Sequence, residues 1–418
     1  MTALLRHIPR PLRRYAKTRV CPPLFRTLRH LSNGERGADI AAVYRVEGKE
    51  AFVGYYDIAP ASPDGGAILG HVTAVSRRAL VAGDEAAVGY FDCETREFSP
   101  VAKTTLWCWQ LGARLRWWPG EQRALAFNAF FDDQPVFCIA TSTGKLERLS
   151  ERPLFDVSAD GAIGLALNFG RLARARPGYG YPALEDCFAD EHLPEQDGVT
   201  IVEMASGRAE LVAPLSDIAG LTEDRPRSGF HYLNAGSLSP SGTYFSVLHK
   251  RLARPQRLDL WEVEAIVGKT DGADLRIVPL PGAASHYWWL DNARIAYTSN
   301  ARGTALNSEY FLYDVRDRSL TTLHGAAPSV DGHPSLDNAS GRWITDRYPD
   351  LFGEQTLYTL EPDGSRKEVA RLRADPVYSD EWKCDLHPRW LSDSESVIVD
   401  STHDGYRAIY EIPVPPVP

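Results

Sequence analysis

Four histidines occupy equivalent positions in a strand–turn–strand pattern that recurs along the second half of the chain. Each stands just before the first strand of its unit, and they are His231, His286, His333 and His387. Imidazole side chains bind divalent metals and transfer protons near neutral pH. Because equivalent positions of a repeat lie on one face of a repeat fold, we expect the four rings to converge on one pocket.

Cationic, aromatic and amide side chains stand at the same ends of the predicted strands. Guanidinium groups bind carboxylates through paired hydrogen bonds, and aromatic rings offer flat apolar faces on which sugar rings stack. Together these side chains favour an acidic oligo- or polysaccharide as the ligand. The predicted substrate-binding residues are Tyr55, Trp107, Gln110, Arg171, Arg251, Arg347, Arg389 and His403.

Seven turn signals set the spacing of the repeat. Proline, serine, aspartate, asparagine and glycine cluster at residues 62–65, 119–121, 158–161, 239–242, 291–292, 338–341 and 392–394. Proline fixes the φ that a turn needs, serine and aspartate bond to the turn backbone, and glycine takes a positive φ. A strand-like run follows each turn, and a second hairpin follows in most units. Seven units of four antiparallel strands predict an all-β, seven-bladed β-propeller.

The ends of the chain predict how the ring closes. The last unit ends one strand short, and an apolar run at residues 40–46 precedes the first turn. We expect this N-terminal strand to complete the last blade, because that removes an exposed sheet edge. The propeller is therefore expected over residues 39–418, after a basic extension over residues 1–38. Residues 169–199, in the widest gap between turns, are predicted to form a long loop or lid.

Composition and charge narrow the class of protein. Of the 418 residues, 24% are charged and 44% are hydrophobic, which suits a globular protein with a large core. The net charge of −9 argues against nucleic acid as a partner. Six cysteines without paired spacing, no secretory signal and no apolar run of roughly 20 residues favour a cytoplasmic location. Nothing in the sequence indicates a nucleotide or organic cofactor.

The N-terminal segment is strongly basic. Residues 1–31 contain eight lysines or arginines and no acidic residue. Two interpretations stay open, a solvated basic extension and a peripheral contact with an anionic membrane surface. Prolines interrupt any long amphipathic helix there, at Pro9, Pro11, Pro22 and Pro23.

Two segments around the histidines, taken with His286, resemble the metal-site segments of oligogalacturonate lyases. They are residues 331–335 (DGHPS) and 386–390 (LHPRW). Those lyases are seven-bladed propellers that bind a divalent metal, typically manganese, through histidines and a glutamine. The resemblance implies a divalent metal (Mn, Ca or Zn) held by His286, His333 and His387. The lyase pattern in the last blade is Gln-x-x-His-x-His, and residues 384–389 keep only His387 of it.

The resemblance further implies β-elimination from a uronate-containing oligo- or polysaccharide. This reaction removes a proton beside a carboxylate, whose charge a metal or an arginine must neutralise. A base takes that proton, and an acid assists departure of the leaving oxygen. The expected roles are His231 or else His286 as the base, Tyr56 or Tyr348 as the acid, and Arg347 or Arg389 as the partner of the carboxylate.

Two other function classes stay open. A glycoside hydrolase on a propeller would use Asp57 with Asp346 or Asp400, because hydrolysis needs two carboxyl groups at a defined separation. A non-catalytic propeller would bind an acidic glycan or a protein partner and leave the glycan intact. The product distinguishes the two enzymes, since elimination leaves an unsaturated uronate that absorbs in the near ultraviolet and hydrolysis does not.

Overall fold

The described part of the chain forms seven four-stranded antiparallel sheets in a computed structural model, arranged as the blades of a propeller. The structure describes residues 38–120, 123–141, 145–222, 227–253, 261–300, 308–323, 331–350, 353–361 and 365–416. The predicted basic extension therefore lies outside the described residues, apart from residue 38. The prediction of an all-β, seven-bladed propeller is confirmed.

Each of the first six blades runs in chain order from its innermost strand outward, and strand β1 (Ala42–Tyr44) precedes them all. The first blade contains β2 (Glu50–Phe52), β3 (Ala67–Thr73), β4 (Ala86–Asp92) and β5 (Phe98–Thr104). The second contains β6 (Arg116–Trp117), β7 (Leu125–Phe131), β8 (Gln134–Ala140) and β9 (Leu146–Ser150). The third contains β10 (Asp156–Val157), β11 (Ile163–Ala166), β12 (Gly198–Glu203) and β13 (Arg208–Pro214).

The next three blades follow the same order. The fourth contains β14 (Phe230–Leu238), β15 (Tyr244–Leu252), β16 (Trp261–Lys269) and β17 (Arg276–Ile277). The fifth contains β18 (Ala283–Trp289), β19 (Arg294–Asn300), β20 (Ser308–Asp314) and β21 (Leu320–Thr322). The sixth contains β22 (Ser335–Asp337), β23 (Arg342–Asp346), β24 (Glu354–Leu360) and β25 (Arg366–Arg373).

The seventh blade closes the ring with a strand from each end of the chain. It contains β26 (Arg389–Trp390), β27 (Ser396–Ser401) and β28 (Ala408–Pro413), and β1 is its outermost strand. In the antiparallel pairing of β1 with β28, Val43 lies opposite Tyr410. The Tyr44 hydroxyl also donates to the Glu411 carboxylate at 3.0 Å. Closure by an N-terminal strand, as predicted, leaves no blade with a missing strand.

Three of the seven predicted turns are built by the same pair of hydrogen bonds. In the first, Gly65 has φ +72° and its N–H donates to the Ser62 carbonyl at 2.8 Å. The Ser62 hydroxyl accepts the N–H of Ala67 at 3.0 Å, which ties the turn to strand β3. The turns that begin at Ser158 and Ser239 form the same two bonds. The Ser-x-x-Gly spacing thus encodes the connection between the first two strands of a blade.

Both faces of the sheets are covered by neighbouring blades. The middle strands therefore carry fully buried apolar side chains, for example Leu69, Phe127, Ile295 and Val397, none of them measurably exposed. Burial of each such side chain contributes roughly 1.5–3 kcal/mol to folding. The innermost strands are thereby fixed around a central channel, and the residues at their starting ends lie at one mouth of it.

Two short helices and one 3-10 turn stand among these strands. Helix α1 (Phe169–Ala175) begins after Asn168, whose side chain accepts the N–H of Arg171 at 2.9 Å. Helix α2 is Leu215–Gly220, and the 3-10 turn is Asp380–Trp382. Within the predicted loop 169–199 the chain thus forms α1 before it reaches β12. Neither helix in the described ranges is long or apolar enough to cross a membrane.

The last blade is tied to the first through Asp400. Its carboxylate accepts the N–H groups of Val53 and Gly54 at 2.9 and 3.3 Å and pairs with buried Arg389 at 3.2 Å. We expect Asp400→Ala to lower the free energy of unfolding by about 3–5 kcal/mol, because a buried guanidinium loses its counter-charge. Urea unfolding measures this change.

The matched control is Glu395→Ala on the same blade, where the side chain is exposed. That substitution should change the free energy of unfolding by less than about 0.5 kcal/mol. A similarly small effect of Asp400→Ala would contradict the role given to this carboxylate in closing the ring.

Candidate active site

Three of the four predicted histidines meet at the channel mouth. His286 lies on β18, His333 precedes β22, and His387 precedes β26, so three successive blades contribute one ring each. The ring centroids of His286 and His333 are 4.3 Å apart, and those of His333 and His387 are also 4.3 Å apart. All three side chains are buried.

One nitrogen of each ring is held by an acceptor. The His333 Nδ1 lies 2.9 Å from an Asp346 carboxylate oxygen, and the His387 Nδ1 lies 2.8 Å from the Gly54 carbonyl. The His286 Nδ1 lies 3.1 Å from an Asp331 carboxylate oxygen. An Nδ1–H that donates in this way leaves the lone pair on Nε2. Among the described residues, the buried Nε2 atoms of His333 and His387 have no hydrogen-bond partner.

A carboxylate completes a group of three potential metal ligands. His333, Asp385 and His387 each offer one ligand atom, and these atoms all lie within 4.8 Å of one another. Two neutral imidazole nitrogens and one carboxylate oxygen suit a divalent ion such as Mn²⁺ or Zn²⁺, whereas Ca²⁺ prefers oxygen ligands. The unpartnered Nε2 atoms are what such an ion would satisfy, so these residues fit a divalent metal.

Two local backbone features, one in the sixth blade and one at the start of the seventh, shape this group. A Cβ atom on Gly332 would lie 1.9 Å from the Asp346 carbonyl oxygen, so only glycine allows the approach. His387 has φ +47°, a left-handed conformation that costs a non-glycine residue roughly 1–3 kcal/mol. The surrounding hydrogen bonds therefore hold His387 in a conformation that the chain alone would not favour.

Burial decides the charge states in the cluster. Burial lowers the pKa of His286 and holds the pKa of His387 well below its usual range. Burial would raise the pKa of Asp331, but the neighbouring His286 outweighs it and lowers that pKa to about 2. Neutral imidazoles beside charged carboxylates are the states that metal binding and proton abstraction require.

Tyrosines surround the imidazoles on the side of the channel mouth. The Tyr55 ring lies 5.0 Å from that of His387, and the Tyr348 ring lies 5.5 Å from that of His333. The Tyr348 hydroxyl stands 3.5 Å from the His286 Nε2. Burial raises the pKa of Tyr348 well above its usual value, so its hydroxyl keeps its proton. Tyr348 thus presents a proton donor beside a proton acceptor.

Three basic side chains at the mouth were not among the predicted site residues. The Arg176 guanidinium lies 4.0 Å from the Tyr179 ring centroid, and the Lys383 ammonium lies 4.9 Å from that of Tyr348. Lys250 is buried, and its pKa is lowered well below the usual value by burial and by Arg176. Arg176 comes from the long loop rather than from a strand end, so repeat spacing could not have found it.

His231 does not join the other three histidines, and this corrects the sequence expectation. Its Nδ1 lies 3.0 Å from the Nε2 of His249, and the two rings stack at 5.2 Å. His249 in turn faces Glu264 at 3.5 Å. Side chains alternate along a strand, so His231 on β14 points away from the face that carries Tyr232. Neither His231 nor His249 has a ring contact with the imidazole cluster.

Three arginines that were predicted to bind substrate instead bind partners within the protein. This corrects the expectation that they contact a substrate carboxylate. Arg171 binds Asp186 at 3.2 Å and the His192 carbonyl at 2.8 Å. Arg251 binds Glu262 at 2.7 Å. Arg389 donates to the Tyr55 carbonyl at 3.0 Å and to Asp400 at 3.2 Å. A buried guanidinium needs such partners, and they leave it unsuited to a substrate carboxylate.

Three more side chains that were predicted to bind substrate make contacts within the protein. The Trp107 Nε1 donates to the Asp84 carbonyl at 2.8 Å, and its ring packs in the apolar core. The Gln110 Nε2 donates to the Lys383 carbonyl at 2.9 Å. His403 lies 3.0 Å from the Ser401 hydroxyl and packs its ring on Tyr410.

Tyr56 differs from the role expected for it, whereas the role predicted for the Arg347 side chain stays a prediction. The Tyr56 hydroxyl donates to the Tyr287 carbonyl at 2.9 Å, so its proton is held by the backbone while its ring lies 5.4 Å from His333. Arg347 continues the sheet, donating its N–H to the Thr356 carbonyl at 3.0 Å. Its Nε is buried without a partner among the described residues.

The three aspartates that a hydrolase would use all have internal partners. Arg114 binds Asp57 through two hydrogen bonds of 3.0 and 2.8 Å. Asp346 orients His333, and Asp400 pairs with Arg389. Carboxylates fixed in this way position other groups, so the geometry disfavours these residues as a hydrolytic pair.

In comparison with solved structures, the fold is similar to that of oligogalacturonate lyases. An oligogalacturonate lyase in complex with manganese has a TM-score of 0.64 and 13% identity over 91% of this chain and 95% of that one. The oligogalacturonate lyase of Vibrio parahaemolyticus has a TM-score of 0.63 and 13% identity over 91% and 96%. No family model matches the sequence, and no curated protein matches it. These likenesses establish a lyase-like propeller fold.

The buried, neutral state of His387 makes stability depend on pH. An unfolded histidine takes up a proton below about pH 6.5, whereas folded His387 does not. The unfolded state then binds more protons, so the free energy of unfolding falls as the pH is lowered from 7.5 towards 5. We expect His387→Gln to reduce this slope by up to about 1.4 kcal/mol per pH unit at the acid end of this range, measured by urea unfolding at several pH values.

The matched control for this measurement is His192→Gln, because the His192 side chain is exposed. Its slope should equal that of the unsubstituted protein. If His387→Gln also left the slope unchanged, His387 would not be held neutral in the folded state.

Proposed function

We propose that this protein is a lyase that cleaves a uronate-containing oligosaccharide by β-elimination at the channel mouth. The observation that carries the proposal is the buried group of His333, Asp385 and His387, whose ligand atoms lie within 4.8 Å of one another beside His286. A propeller fold like that of oligogalacturonate lyases, one of them in complex with manganese, supports it.

The residues that would hold a divalent metal are His333 and His387, through Nε2, and Asp385, through its carboxylate. A metal bound there supplies positive charge that neutralises a substrate carboxylate and makes the neighbouring proton more acidic. Asp346 and the Gly54 carbonyl keep the two imidazoles in the required orientation. Asp385 would supply an oxygen ligand. It lies in residues 384–389, the segment that keeps only His387 of the lyase pattern.

His286 is the proposed base, in place of His231. The Asp331 carboxylate fixes the orientation of the His286 ring and stabilises the imidazolium that forms when Nε2 takes a proton. Tyr348 is the proposed acid, because its protonated hydroxyl stands 3.5 Å from that same Nε2. Proton removal and leaving-group protonation would then occur at adjacent atoms on one side of a bound sugar.

Arg176 is the proposed partner of a carboxylate on the saccharide, in place of Arg347 and Arg389. Burial acts to lower its pKa, but the tyrosines that face it, led by Tyr179, outweigh burial and raise it. The guanidinium is therefore charged and lies on the aromatic wall that a sugar ring would contact. Arg176 follows α1 in the long loop, which narrows the approach to the mouth and favours a short oligosaccharide, proposed to be cytoplasmic.

The first test is a screen of uronate-containing oligosaccharides with and without a chelator, read by near-ultraviolet absorbance and mass. We expect an unsaturated product that is lost on chelation. His286→Gln should lower kcat by about 100- to 10,000-fold, as expected for loss of a general base. His403→Gln, which alters a histidine outside the cluster, is the control. Saturated products of hydrolysis, or full activity of His286→Gln, would contradict the proposal.

The role of Arg176 predicts an effect on substrate binding. Arg176→Met should raise KM by roughly 10- to 100-fold, the loss expected for a charge-assisted hydrogen-bond pair, with a smaller change in kcat. Arg174→Met is the matched control, because Arg174 lies on the same loop with an exposed side chain. Equal KM values for the two variants would remove Arg176 from the substrate site.

A further inference from the structure

Lys383 contacts Asp385, the residue that supplies the carboxylate of the proposed metal group. Its ammonium forms an ion pair with Asp385, four positions before His387 in the chain. The Asp385 side chain is 2% exposed and the Lys383 side chain is 31% exposed. The buried carboxylate therefore has its counter-charge on the side that faces the channel mouth.

An ammonium and a divalent ion cannot both neutralise this carboxylate without repelling each other. Like charges a few ångströms apart repel strongly where water is scarce, and a buried carboxylate without any counter-charge is costly. Asp385 thus needs one cation, and a metal held by His333 and His387 would be a second one. Either the ammonium moves or the metal binds weakly.

The surroundings of Lys383 allow the ammonium to move. A lysine has a flexible four-carbon stem, so its charge can be displaced without any change in the backbone. The ammonium already lies 4.9 Å from the Tyr348 ring centroid, so this cation–π contact can retain it when it leaves Asp385. Arg389, by contrast, is locked between Asp400 and backbone carbonyls and has no such alternative.

We propose that Lys383 is an internal counter-cation of the metal site, which neutralises Asp385 until a divalent ion displaces it towards the mouth. This inference rests on the metal group of the proposed function and not on the lyase reaction. The displaced ammonium stays beside Tyr348, where its charge would face an anionic ligand at the mouth. Metal loading and readiness for an anionic substrate are therefore coupled through one side chain.

Mn²⁺ affinity, measured by isothermal titration calorimetry on the full chain, tests the inference directly. Lys383→Met and Lys383→Gln should bind Mn²⁺ at least tenfold more tightly than the unsubstituted protein, because no ammonium competes. Lys383→Arg keeps the positive charge and should change the affinity by less than threefold. Unchanged or weaker binding by both neutral variants overturns the inference, as does absence of Mn²⁺ binding in every variant that is folded.

A double-variant cycle shows whether the effect passes through Asp385. Asp385→Asn should weaken Mn²⁺ binding, and adding Lys383→Met to it should restore nothing, because the shared carboxylate is gone. Independent, additive effects would overturn the inference. Without metal, Lys383→Met should melt at a lower temperature, and saturating Mn²⁺ should raise its Tm by more than that of the unsubstituted protein.

The two proposals fail separately. Mn²⁺ affinities that follow this pattern, together with no cleavage of any uronate oligosaccharide, would overturn the proposed function and leave the role of Lys383 intact. Cleavage with unchanged affinity in both neutral variants would overturn only the role of Lys383.

Discussion

The carboxylate of Asp346 is the interaction on which the geometry of the site depends. It accepts the N–H of His333 at 2.8 Å, the Nδ1 of the same residue at 2.9 Å and the N–H of His387 at 3.3 Å. One buried charge at the end of β23 therefore fixes the imidazole of His333 and the backbone of His387, which come from two blades. Burial acts to raise the pKa of Asp346, but the hydrogen bonds from His333 and the electrostatic effect of His333 and His286 outweigh burial and lower that pKa. Without this carboxylate, no shared acceptor would hold His333 and His387 in position relative to each other.

The charges at the mouth form a layered arrangement around the imidazoles. Buried carboxylates lie innermost, at Asp331, Asp346 and Asp385, and neutral imidazoles lie on them. The cationic groups Arg176 and Lys383 lie against the tyrosine rings of the mouth. A low-dielectric surrounding strengthens each of these interactions. The arrangement suits an anionic ligand that approaches from the mouth and a cation held beneath it.

Sequence spacing predicted the architecture because turn signals and apolar runs recur seven times along the chain, three of the turns with the spacing Ser-x-x-Gly. It placed His286, His333 and His387 together for the same reason. It misplaced His231, because a shift of one residue along β14 moves a side chain to the other face of the sheet. It wrongly assigned three arginines to substrate binding, because no repeat pattern reveals their acceptors within the protein. These pairs are Arg171 with Asp186, Arg251 with Glu262, and Arg389 with Asp400. Arg176 and Lys383 reach the mouth through tertiary packing of loops, which spacing does not encode.

Anomalous diffraction from crystals of the protein soaked in Mn²⁺ tests the central claim most directly, because it locates the ion without any assumed substrate. A metal site at this group predicts one strong peak at bonding distance from the Nε2 atoms of His333 and His387 and from the Asp385 carboxylate. The Lys383 ammonium should have left that carboxylate in the same crystals. A peak elsewhere, or none at the three residues at millimolar Mn²⁺, would contradict the account.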